Sequence, residues 1–172
     1  MNTFESTQAE DELNPPHALV ARLSAGLVSR DMKIVTVESC TGGSVAALFT
    51  DLSGSSMWFD RGFVTYSNAS KVEMVGVDAA ILQQYGAVSE QVASEMAQGG
   101  VKHSDAQCAL SITGIAGPGG GGKSKPVGMV CFAWAGFMEP VTTSTKYFQG
   151  DRSAVRAQSV YFAVQESIRL LT

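Results

Sequence analysis

Residues 33–49 have the sequence KIVTVESCTGGSVAALF, in which a strand pattern changes to a helical one within a few residues. Lys33–Glu38 are rich in β-branched residues, which predicts a buried β-strand. Val45, Leu48 and Phe49 follow at the three- and four-residue spacing of an amphipathic helix. A strand that leads through a glycine turn directly into a helix is typical of α/β folds, so this segment predicts a sheet covered by helices.

The same alternation extends to both sides of this segment. Four further strands are predicted at Gly62–Tyr66, Cys108–Thr113, Val127–Ala135 and Val141–Phe148, the last as a more polar edge strand. Further helices are predicted after Asn14 as an N-cap, at Ala69–Val75 and Asp78–Gln84, and after the caps Ser89 and Asp151. The pattern predicts a three-layer α/β/α sandwich around a mixed, mostly parallel five-stranded sheet, with a hairpin at Gly136–Pro140.

Length and composition restrict the class of protein. The 172 residues carry a net charge of -4, with 45% hydrophobic and 16% charged residues, which suits one globular domain at 14–172 behind a polar tail at 1–13 that we expect to be disordered. No basic patch predicts nucleic-acid binding, and no apolar run predicts a membrane span. Three cysteines without metal-ligand spacing favour reduced thiols in a cytoplasmic protein without a metal site.

Residues 38–43, ESCTGG, join the first strand to its helix, at the sheet edge where α/β proteins bind ligands. If Thr41 caps the helix, the amides of Gly42 and Gly43 stay unpaired and suit a phosphate or an oxyanion. Ser39 directly precedes them and is a candidate nucleophile. An ordinary turn, in which Ser39 and Thr41 serve only as caps, is the alternative.

Residues 66–71, YSNASK, leave the second strand at its carboxyl end. Lys71 is predicted in the first turns of a helix, where the dipole and burial would lower its pKa. A neutral lysine can deprotonate a neighbouring serine. A solvated lysine beside a packed Tyr66 ring is the alternative. The two histidines, His17 and His103, do not follow strands, which argues against a Ser-His-Asp triad.

A third polar segment, residues 113–124, has the sequence TGIAGPGGGGKS. Gly117–Ser124 match the phosphate-loop pattern, but that loop requires a helix beginning at its Gly-Lys-Ser. Here KPVG at 125–128 leads into a strand instead. We therefore interpret the segment as a glycine loop that covers the site.

Six motifs in this order resemble the CinA C-terminal family, over about Leu19 to Ile168. They are VESCTGG (37–43), GSSMWFDRGFVTYSNASK (54–71), GAVSEQVASEMA (86–97), SITGIAGP (111–118), KPVG (125–128) and GDRSAVR (150–156). The resemblance implies the same α/β/α fold. It also implies hydrolysis of the carboxamide of nicotinamide mononucleotide (NMN) to nicotinate mononucleotide and ammonia, with no cofactor.

The resemblance further implies a serine–lysine site at three residues, Ser39, Lys71 and Tyr66. Ser39 would attack the amide carbon, and Lys71 would remove its proton directly or through Tyr66. Oxyanion and substrate contacts are expected from Thr41, Gly42, Gly43, Thr113, Gly114, Gly117 and Arg152. The nucleotide phosphate would meet either the amides of the glycine loop or Arg152.

Two other functional classes fit the same motifs. One is a non-catalytic nucleotide-binding module, and the other is a partner protein in competence or damage response. A homo-oligomer is expected if Trp58 and Phe59 are interface aromatics, although local core packing explains them equally well.

Overall fold

The computed structural model describes residues 15–172, so the predicted tail and the Asn14 cap lie outside the described residues. The strands are β1 (Ile34–Glu38), β2 (Phe59–Val64), β3 (Cys108–Gly114), β4 (Met129–Ala135) and β5 (Thr142–Tyr147). The helices are α1 (Pro15–Val28), α2 (Ser44–Thr50), α3 (Asn68–Val75), α4 (Ala79–Tyr85), α5 (Glu90–Lys102) and α6 (Arg152–Leu171), with one 3₁₀ turn at Ser55–Met57.

The five strands form one mixed sheet in the order β2-β1-β3-β4-β5. β1 pairs in parallel with β2 and β3, whereas β4 runs antiparallel to both β3 and β5. Four strands therefore point the same way, as predicted, although only two of the four pairings are parallel. The hairpin between β4 and β5 and the edge position of β5 are confirmed.

Helices cover both faces of the sheet and complete the three-layer sandwich. On one face, α1, α2 and α6 pack together, and the stripe of α1 buries Val20, Leu23 and Leu27 completely. On the other face, α5 crosses four strands and contacts α3 and α4, and α3 also contacts β2. Within residues 15–172, no helix has both the length and the apolar character required to cross a membrane.

The prediction for β2 was wrong by several residues. The strand begins at Phe59 rather than Gly62 and ends at Val64, so Tyr66 lies in the loop beyond it. β2 is an edge strand whose face is partly exposed, and Asp60 and Arg61 interrupt the apolar pattern from which strands are recognised.

Trp58 belongs to the core. It is 2% exposed, and its ring centroid lies 5.0 Å from that of Phe49. The ring centroid of Phe59 lies 5.5 Å from that of Phe49. Local packing thus accounts for Trp58, whereas Phe59 is partly exposed, and the homo-oligomer stays a prediction.

Trp58→Ala is expected to lower the free energy of unfolding by about 3–5 kcal/mol, because it leaves a cavity beside Phe49. Met57→Ala is the matched control, since Met57 is 64% exposed and its truncation should cost less than about 0.5 kcal/mol. Chemical denaturation measures both values. Equal effects of the two substitutions would contradict the core position of Trp58.

Candidate active site

The carboxyl ends of β1 and β3 flank the switch point of the sheet. The chain leaves β1 for β2 on one side and returns to β3 on the other side. Loops that follow adjacent parallel strands diverge at such a point and leave a crevice for ligands. The turn at residues 39–43 follows β1, and the glycine loop follows β3.

Ser39 and Lys71 meet at this edge of the sheet. Lys71 Nζ lies 3.1 Å from Ser39 Oγ and donates a hydrogen bond of 2.7 Å to the carbonyl oxygen of Thr65. The lysine is 1% exposed and the serine 8%. The sequence could only place the two residues on neighbouring loops, and the structure brings their reactive atoms into contact.

Local structure holds Lys71 in this position. Ser67 caps α3 by accepting from the Ser70 amide, and the Ser70 hydroxyl accepts from the Ser67 amide in return. This capping box fixes the start of the helix one turn before Lys71. The side chain then turns back toward β1 and is buried there.

Burial lowers the pKa of Lys71 to about 8, because the charged amine loses its hydration. No ion pair between this amine and a carboxylate is found among residues 15–172. A neutral amine keeps one lone pair after donating to the Thr65 carbonyl, and that lone pair can accept the serine proton. The serine and the lysine can therefore act as a nucleophile and its general base.

The amides of Gly42 and Gly43 are not free, contrary to the prediction. The Gly42 amide donates to the Ser39 carbonyl at 3.0 Å. The buried Glu38 carboxylate accepts from three amides at 2.9–3.1 Å, those of Gly43, Val45 and Ala46. Glu38 thus occupies the N-terminus of α2, and these two glycines serve the turn through their positive φ angles of 61° and 94°.

Thr41 does not cap α2 either. The N-cap is Gly43, and the buried Thr41 hydroxyl has no hydrogen-bond partner in the described structure. Within residues 15–172, the backbone amides of Cys40 and Thr41 donate to no other residue, although the Cys40 amide also faces its own thiol and offsets part of the rise in pKa that burial causes there. The unused donors of the turn therefore belong to the two residues directly after Ser39.

Tyr66 contacts Arg152 rather than the serine–lysine pair. Its phenol oxygen accepts from Arg152 Nη2 at 3.0 Å, and Arg152 Nη1 donates to the Gly117 carbonyl at 2.9 Å. Arg152 thereby connects the loop after β2, the glycine loop and the start of α6. A cavity of about 660 Å³ lies beside it, lined by Ala116, Pro118, Val127, Gly150, Asp151, Arg152, Ser153 and Arg156.

Thr113 and Gly114, both predicted to contact the substrate, are instead bonded to other parts of the protein. The buried Thr113 hydroxyl donates to the Ala87 carbonyl at 2.8 Å, and Gly114 pairs with Val130 in the sheet. Both residues support the base of the glycine loop. Residues 123–124 do not begin a helix, which confirms that Gly117–Ser124 do not form a phosphate loop.

The three cysteines are buried thiols in this fold. Burial raises the pKa of Cys40 to about 11 and that of Cys108 to about 12, and it also raises that of Cys131. A thiol with so high a pKa is a poor nucleophile at neutral pH. Within the described ranges, no group of three or more His, Cys, Asp or Glu residues is arranged to hold a metal ion.

Sequence reasoning missed Glu38 and Arg156. Arg156 Nε donates to the Cys40 carbonyl at 3.1 Å, and its Nη2 donates to the Thr41 carbonyl at 2.9 Å. The role of Glu38 could have been recognised in the sequence from its position as a charged residue at the end of an apolar strand. For Arg156 the available signal was the four-residue spacing from Arg152, which places both arginines on one helix face.

A mixed-sheet α/β/α domain with a buried serine–lysine pair at its switch point defines the class of this protein. The model of the CinA C-terminal domain matches residues 16–171, and the chain belongs to that family. It is 50% identical over 153 residues to the nicotinamide-nucleotide amidohydrolase PncC of Enterobacter agglomerans, covering 89% of this chain and 93% of the relative.

A second relative and a solved structure agree with this assignment. The protein of the same name from Pseudomonas putida is 42% identical over 160 residues, which are 93% of this chain and 99% of that protein. The crystal structure of the competence/damage inducible protein CihA from Agrobacterium tumefaciens superposes with a TM-score of 0.88. It is 38% identical and covers 93% of this chain and 98% of that one.

Proposed function

We propose that this protein hydrolyses the carboxamide of NMN to nicotinate mononucleotide and ammonia, with Ser39 as the nucleophile and Lys71 as its general base. The observation that carries the proposal is the 3.1 Å contact between a buried lysine amine and a serine hydroxyl. The choice of substrate follows from the relatives named nicotinamide-nucleotide amidohydrolase.

The first half of the reaction forms an acyl-enzyme. Ser39 Oγ attacks the amide carbon while its proton passes to the lone pair of Lys71 Nζ. The resulting ammonium then returns a proton to the amide nitrogen, the C–N bond breaks, and ammonia leaves. The direct contact makes a relay through Tyr66 unnecessary, and the tyrosine instead orients Arg152.

The amides of Cys40 and Thr41 are the proposed oxyanion donors. They replace Gly42 and Gly43, whose amides are already bonded to the Ser39 carbonyl and to Glu38. An amide directly after the nucleophile can point at the oxygen of the tetrahedral intermediate without further movement. The unpaired Thr41 hydroxyl offers another donor in the same turn.

The second half of the reaction repeats the same proton transfer with water. Lys71 accepts a proton from the water that attacks the ester carbon, and the Ser39–acyl bond breaks as Ser39 Oγ regains a proton. The carboxylate product then leaves.

The cavity beside Arg152 is the proposed position of the ribose phosphate. Its volume of about 660 Å³ is within the usual range for sites that bind small ligands. Arg152 is held by Tyr66 and by the Gly117 carbonyl, and a guanidinium suits bidentate contact with phosphate oxygens. Thr113 and Gly114 contribute by supporting the loop that carries Gly117.

Ammonia release from NMN, nicotinamide riboside, nicotinamide and NAD tests the proposed substrate. NMN is expected to give the highest kcat/KM, because only it combines the carboxamide with a terminal phosphate. Tight binding of NMN without ammonia release would support a binding module instead. Equal rates on NMN and nicotinamide would contradict the proposed phosphate contact.

Ser39→Ala is expected to abolish turnover while NMN binding persists, because only the attacking oxygen is lost. Cys40→Ala is the matched control and should keep most of the activity, since the buried thiol has a pKa near 11 and its backbone amide remains. Ammonia release and calorimetric binding measure both effects. Inactive Cys40→Ala beside active Ser39→Ala would assign the nucleophile to the cysteine.

Activity is expected to rise with pH and level off above about pH 8, because only the neutral amine of Lys71 accepts the proton. At pH 7 about one amine in ten is neutral, compared with about one in 2,500 for an unperturbed lysine. Lys71→Met should lose about 10³–10⁴-fold in kcat. Lys71→Arg should recover little of this, since a guanidinium does not deprotonate in this range.

The pH–rate profiles of both variants provide the check, with thermal unfolding as the control for folding. Lys71→Met should unfold at a temperature no lower than the unmodified protein, because it removes a buried amine. A near-normal rate of Lys71→Arg with an unchanged pH profile would show that another group is the base.

A further inference from the structure

Arg156 forms two hydrogen bonds to the turn that carries Ser39 and a third to the first residue of α2, although it bonds to neither Ser39 Oγ nor Lys71. Its guanidinium reaches the carbonyl oxygens of Cys40 and Thr41 and, at 3.0 Å, the hydroxyl of Ser44. The Ser44 hydroxyl itself donates to the Thr41 carbonyl at 2.6 Å. One side chain from α6 thus holds two successive carbonyls of the turn.

The geometry of the peptide bond links the direction of each fixed carbonyl to the direction of the amide that follows it. In a trans peptide the carbonyl and the following N–H point in opposite directions. Because the Cys40 carbonyl points at Arg156, the Thr41 amide of the same peptide points away from it. The Ser39 carbonyl accepts from the Gly42 amide, so the Cys40 amide is fixed by a bond within the turn itself.

We propose that Arg156 is a positioning residue for the reaction: it sets the direction of the Thr41 amide and thereby completes the oxyanion site. The inference rests on the proposed function. Glu38 plays a separate part, because its three bonds fix the start of α2 and do not involve the Cys40 or Thr41 peptides. Loss of Arg156 therefore frees the Cys40 carbonyl, while the Thr41 carbonyl keeps its bonds from Ser44 and the bonds of Glu38 to α2 remain.

Arg156→Lys and Arg156→Ala test this role. Lysine cannot donate to both carbonyls from one fixed plane, so we expect kcat to fall by about 10²–10³-fold, the usual effect of losing one oxyanion donor. KM should rise by a smaller factor than kcat falls, because Arg156 lines the cavity proposed for the ribose phosphate but its guanidinium is bonded to the turn. The pH midpoint should remain near 8, because burial rather than Arg156 lowers the pKa of Lys71.

Added guanidinium at low, non-denaturing concentration should restore kcat of Arg156→Ala in a saturable manner. Arg169→Ala is the matched control from the same helix, since the exposed Arg169 side chain forms hydrogen bonds only to Glu166 in the described structure. It should keep full activity and show no response to guanidinium. A loss confined to KM would make Arg156 a substrate-binding residue and overturn the proposal.

Amide NMR provides a readout that does not require turnover. In Arg156→Lys the resonance of Thr41 should shift strongly, while those of Val45 and Ala46, which Glu38 holds, should stay in place. An unchanged Thr41 resonance, or equal shifts at all these positions, would contradict the positioning role. The unmodified protein's own ammonia release reports the proposed function separately, so failure of one claim is distinguishable from failure of the other.

Discussion

A lysine amine buried beside a serine hydroxyl, with a backbone carbonyl as its other neighbour, is the constraint on which the site depends. A pKa of about 8 instead of 10.5 corresponds to about 3 kcal/mol of lost hydration. The folded state bears this penalty in full below pH 8, where the amine is protonated in the folded and unfolded chains alike. Between pH 8 and the unfolded pKa the unfolded chain binds more protons, so stability rises with pH.

The fold can hold the amine there because several elements converge on it. The parallel order β2-β1-β3 brings the loops after three strands to one edge of the sheet. The capping box of α3 fixes the start of the helix that carries Lys71, and Glu38 fixes the start of α2. The Ser39 turn between them is held from α6 by Arg156. The strand-end loops, the starts of α3 and α2, and the Arg156 side chain therefore act together to fix the contact between Lys71 and Ser39.

Much of this arrangement could be predicted from the sequence. The β-branched run before ESCTGG and the helical stripe after it gave the layer order, and the family resemblance brought Ser39 and Lys71 together. The edge strand β2 was harder, because Asp60 and Arg61 obscure its pattern. The unpaired amides of the turn could not be predicted, since sequence does not show that the Glu38 side chain folds back onto the amides at the start of α2. The Glu38 carboxylate binds the Gly43 amide and the Ser39 carbonyl binds the Gly42 amide, which leaves the Cys40 and Thr41 amides as the candidates for the oxyanion donors.

The most direct test of the account is the titration of Lys71 itself. The chain has six lysines, so ¹⁵N- and ¹³C-labelled lysine gives a short list of side-chain signals, and Lys71→Met assigns the one of interest. The account predicts that this signal titrates with a pKa near 8, well below the ~10.4 of a lysine in a model peptide. A Lys71 signal that titrates at the model-peptide value of ~10.4 would show that the amine is charged at neutral pH, and the serine–lysine mechanism would be contradicted.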